Sequence, residues 1–140
     1  IVNCADKYHC IVFAATNYPL NIALPIDSNK NIFPYIVSVD PPNLEDKVKI
    51  LQYYLKDKLS EPAEPRDFIE MAQMLKGKED SEMGAYSIAK IKEIVTGDNP
   101  LMTTIEEVKQ RIAESSPNIS ANSLEDFYDA RIKLMQNEVI

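Results

Sequence analysis

No run of about 18 consecutive apolar residues occurs anywhere in the chain, so no segment reads as a membrane-spanning helix. The opening residues, IVNCADKYHC, also lack the basic start, long apolar core and small-residue cleavage site of a secretory leader. Cysteine is scarce. Cys4 and Cys10 have only His9 and Asp6 for company, too thin a ligand set for four-coordinate zinc, so no metal is expected and a reduced thiol is the plainer reading. Low-complexity sequence is nearly absent, and 45% of the residues are hydrophobic, which argues for an ordered chain. Positive charge is in deficit: 15 basic residues against 22 acidic ones give a formal charge of -7. Such a surface repels phosphate backbones, which excludes nucleic-acid binding through a broad basic face. A cytoplasmic or nuclear setting is expected. With 140 residues the chain suffices for one modest core, and its start at Ile1 rather than a methionine suggests an excerpt or a processed product.

Glycine is equally sparse, with three in the whole chain, and none serves the turn in IVFAATNYPL, residues 11–20. The apolar run CIVFAA, residues 10–15, suits a strand covered on both faces. A second run, IFPYIVSV at 32–39, predicts another strand, with Pro34 confining it to an edge. From Asn43 the period becomes helical: Leu44, Val48, Leu51, Leu55 and Leu59 share one face, behind an Asn43 N-cap and the acidic Glu45 and Asp46. SEPAEP at 60–65 ends that helix. A second is predicted over 66–75, with Phe68, Ile69, Ala72 and Leu75 inward and Gly77 as terminator. A third, over 84–96, carries Ile88, Ile91 and Val95 and stops at Gly97. A fourth starts with a capping box from Thr104 to Glu107 and uses Ile105, Val108 and Ile112. A fifth runs from about 121 to 135 with Leu124, Phe127, Tyr128, Ile132 and Met135. Tyr53 and Tyr54 mark either a helix interface or core packing.

The stretches ATNYPLNI and FPYIVSVDPPNLEDKVKIL, with TTIEEVKQRIAESSPNISANSLEDFYD near the end, resemble the second half of the AAA ATPase module, especially its meiotic clade. The resemblance implies an α/β fragment followed by an α-helical bundle: residues 1–42 as the last strands of a P-loop AAA nucleotide-binding subdomain, and 43–140 as its helical lid. By the same resemblance Asn17 ends the sensor strand and orients water against the terminal phosphate, while Gly84 and Ala85 approach the nucleotide. Lys30 would stand where the family carries arginines that reach the neighbouring subunit. Each position has a plainer alternative: an Asx turn before Pro19 for Asn17, an ordinary helix start for Gly84 and Ala85, and a solvated loop lysine for Lys30. Gly77 competes with Gly84 as the aligned glycine.

The phosphate-cradling GxxxxGK[ST] loop and an apolar strand ending in Asp-Glu are both absent, so this polypeptide alone should not hydrolyse ATP. ATP and magnesium are implied for a parent protein only. The first functional expectation is therefore the C-terminal part of an AAA ATPase that remodels proteins as a ring, with neighbouring AAA subunits and a protein substrate or adaptor as partners. The alternative is a non-catalytic, AAA-like helical interaction module whose acidic surface docks a basic partner.

Overall fold

The computed structural model describes residues 7–17, 37–75, 84–97 and 102–136. Contacts divide the chain into two units, one formed by 40–125 and the other by 1–39 with 126–140.

Local chemistry fixes four helices in the 40–125 unit. Helix α1, Leu44–Leu55, starts with a reciprocal cap: the Asp46 N–H donates to Asn43 Oδ1 at 2.9 Å, and the Asn43 N–H to the Asp46 carboxylate at 3.2 Å. Helix α2, Pro65–Met74, has proline at its first position, where a missing N–H costs nothing, and the Asp67 carboxylate accepts from the Glu64 N–H. Helix α3, Ile88–Thr96, is capped by Ser87 and ends at Gly97, whose N–H donates to the Glu93 carbonyl. Helix α4, Ile105–Glu114, carries the Thr104–Glu107 capping box anticipated from the sequence.

Both α1 and α4 pack against α2 and α3. The ring order is thus α1, α2, α4, α3, and the apolar stripes meet in the middle. Leu51, Leu55, Met71, Leu75, Ile91, Val95, Val108 and Ile112 are fully buried there, each worth roughly 1.5–3 kcal/mol of transfer free energy. Two short backbone bridges tie the connections together. Thr103 exchanges hydrogen bonds with the α1–α2 connection, its N–H to the Lys58 carbonyl at 2.8 Å and its carbonyl from the Ser60 N–H at 2.9 Å. At the other end of α4, Ala85 and Ile119 exchange bonds of 2.8 and 3.0 Å. Lys47 Nζ donates to the Leu75 carbonyl at 3.1 Å, joining the start of α1 to the end of α2.

A last helix, α5 (Ala121–Gln136), begins where Ser120 Oγ accepts from the Ser123 N–H. Phe127 and Tyr128 meet edge-on along it, and Ala130 is buried. No helix among the described residues is long and apolar enough to cross a membrane.

The helical expectations hold with small shifts of boundary, whereas the strands do not. Among the described residues there is no sheet, only the two isolated bridges. The run 10–15 is exposed along its length, with Ile11 at 83% and Phe13 at 91%, and Val37 and Val39 are exposed as well. A strand requires a neighbour for its N–H and C=O groups, and none is described beside either run. The expected α/β fragment with a lid is therefore corrected to a fold whose regular elements, among the described residues, are all helices. With no sheet to carry it, the likeness to a P-loop AAA module does not extend to the described structure. Residues 18–36, which include most of the second expected strand, and Gly77 lie outside the described residues.

Candidate functional site

The residues singled out by sequence fall in different places. Asn17 lies in the described part of the 1–39 segment, exposed, at a bend after Thr16. Lys30 lies outside the described residues. Gly84 and Ala85 precede α3 and meet the segment after α4: a Cβ on Gly84 would overlap the Ile119 carbonyl, and Ala85 forms the bridge to the same residue. Close backbone approach, the reason glycine was singled out at 84, is thus to the chain itself. Next to it, the Ser87 N–H donates to Asn118 Oδ1 and Asn118 Nδ2 donates to Ser87 Oγ, each at 2.9 Å.

A polar network that the sequence reading missed lies where α3 ends and α4 begins. Thr103 is only 7% exposed. Its hydroxyl donates to Glu107 Oε2 at 2.9 Å and accepts from Arg111 Nη2 at 3.1 Å, and the same Arg111 nitrogen donates to the Val95 carbonyl at 3.0 Å. Glu107 Oε2 also accepts from the Thr104 N–H at 2.9 Å. This backbone N–H first, and the Thr103 hydroxyl second, hold the Glu107 carboxyl below the ordinary carboxylate range. Arg111 Nε is buried without a hydrogen-bond partner. Spacing of four residues between Glu107 and Arg111 on one helix was the available sequence signal.

Beside this network, Lys90, Glu93, Ile94, Gly97, Arg111, Glu114 and Ser115 line an open cleft of about 480 Å³. Lys90 pairs with Glu93 at 2.6 Å, and Arg111 donates to the Val95 carbonyl and the Thr103 hydroxyl. Among the described residues no group of three or more His, Cys, Asp or Glu side chains could hold a metal ion.

Different chemistry appears on the outer side of α1. Tyr53 is 77% exposed, more than any other large hydrophobic residue described in the 40–125 unit. Its ring meets that of Tyr54 edge-on at 5.1 Å, and Lys92 of α3 lies 5.8 Å from the Tyr54 ring centroid. Tyr54 is half-buried against the core, so of the two readings for this pair, Tyr54 packs and Tyr53 faces solvent. Ile88, one turn before Lys92, is also exposed.

Comparison with protein-family models, curated proteins and solved structures finds no match for the chain. With the sheet also lacking from the described residues, nothing supports the expected AAA identity, its ATP binding and hydrolysis, or neighbouring AAA subunits as partners.

Proposed function

We propose that residues 40–125 act as a helical protein-interaction module. The observation supporting this is the contrast between a closed four-helix core and the aromatic side chain left at its surface. Tyr53 projects 77% exposed from a helix whose opposite side buries Leu51 and Leu55 completely. Tyrosine contributes a large contact area with little rotamer entropy to lose, which is why it is enriched where proteins meet. The polar groups of the best-formed network serve the fold, capping α4 and holding the end of α3.

A photo-crosslinking residue placed singly at Tyr53, Gln73 and Met102 in the full chain tests this reading in cells of its source. Discrete protein adducts concentrated at one position, and re-formed from the two purified proteins, are expected. Absent adducts, or the same diffuse set at all three positions, would refute it.

A further inference from the structure

We infer that the surface formed by α1 and α3 around Tyr53 docks a carboxylate-rich polypeptide segment. This deepens the interaction-module reading and rests on it.

Ring contacts join Tyr53, Tyr54 and Lys92: Tyr53 touches Tyr54, and Lys92 lies over Tyr54. Lys49 and Lys56 stand four residues before and three after Tyr53, the spacings that bring side chains together on a helix. Ile88 is one turn from Lys92 and half exposed, adding an apolar edge.

Charge selects the occupant. The chain as a whole is acidic, and several of its described lysines are engaged: Lys49 by Glu45, Lys90 by Glu93, and Lys109 by Glu70. Lys56 and Lys92 have no carboxylate within ion-pair distance among the described residues; Lys92 is directed instead over an aromatic ring. Lys56 and Lys92, which form none of these ion pairs, outnumber Asp57, the carboxylate four residues after Tyr53, and on an otherwise acidic protein they complement a segment carrying acidic residues and an apolar side chain to lie against Tyr53. Lys49 can join at little cost, because its pair with Glu45 is a solvent-exposed contact on one helix. A basic segment would meet Lys56 and Lys92 here.

The test uses the full chain with a fluorescein-labelled peptide of repeated Glu-Glu-Leu units, followed by anisotropy and by amide chemical shifts. Saturable binding is expected, with shifts centred on Tyr53, Tyr54 and Lys92. The pair Lys56→Glu with Lys92→Glu should weaken binding by about tenfold or more, and Tyr53→Ala several-fold, each with unchanged helical circular dichroism because these side chains lie outside the core. A matching Lys-Lys-Leu peptide should not bind. Equal binding of both peptides, or insensitivity to the charge reversal, overturns the inference. So does tighter binding of polyuridylate, which would make the surface a phosphate-backbone site. Shifts confined to another face overturn this surface while leaving the interaction-module reading standing, since that reading is judged by the crosslinks.

Discussion

Replacing Thr103 by valine asks whether the buried hydroxyl between Arg111 and Glu107 helps to hold α3 to α4. Valine keeps the shape and removes two hydrogen bonds, at 2.9 and 3.1 Å, each with a charged partner. Such bonds contribute roughly 1.5–3 kcal/mol apiece when their loss strands the partner. Neither partner is stranded. Arg111 Nη2 keeps the Val95 carbonyl, Glu107 keeps the Thr104 N–H, and Glu107 is exposed to water. The backbone bridge from Thr103 to Lys58 and Ser60 is untouched. The expected loss is therefore well under the sum, about 1–2 kcal/mol. Thr103→Ser is the control: it retains the hydroxyl and forfeits a methyl group, about 0.8 kcal/mol. Urea unfolding followed by helical circular dichroism gives both values. Valine should be the more damaging substitution. If serine proves worse, or valine is neutral, the site is held by packing and the hydrogen-bond argument fails.

Gly97 adopts φ 55 and ψ -173, a region nearly closed to residues with a side chain, and a Cβ there would lie 3.1 Å from Arg111 Nη1. Gly97→Ala should destabilise by roughly 1–3 kcal/mol, read as a lower urea midpoint at unchanged slope. Thr104→Ala removes the α4 cap and should cost about 0.5–2 kcal/mol in the same assay. Glu107 titrates below the ordinary carboxylate range when folded, so its contribution is present above the unfolded group's pKa and disappears as pH falls through the lower, folded value. Stability measured against pH should decline on the acid side of that range, and Glu107→Gln should flatten the decline; an identical slope would show that other carboxylates account for it.

The helices were legible because their signals are local. Asn43 with Asp46, Thr104 with Glu107, and Gly97 after an apolar stripe each specify a boundary within a few residues. Inward faces were read less well. Met71 and Ile94 are buried though not singled out, while Ile69 and Ile88 were assigned inward and are exposed. A helix wedged between two neighbours buries a wide stripe, and residues at its margin are decided by the crossing of helices, which spacing does not encode. The strands failed for a related reason: CIVFAA has the composition of a buried strand, but a strand exists only where another pairs with it, and that is a long-range property. Gly84 shows the same limit on a site. It was singled out for approach to a nucleotide, whereas the neighbour that its backbone meets, Ile119, lies 35 positions away along the chain.

The two backbone bridges bear on how the 40–125 unit opens. Amides in connecting segments ordinarily exchange with solvent deuterium through small local fluctuations. Here the N–H groups of Ser60, Thr103, Ala85 and Ile119 are engaged across connections rather than within a helix. The Ser60 and Thr103 amides link the α1–α2 connection to the start of α4, so freeing them separates parts that both border the core. Their exchange should therefore be as slow as that of the fully buried Leu55 and Val95, and slower than that of the exposed Asn43 amide at the start of α1, making these loop amides reporters of cooperative opening.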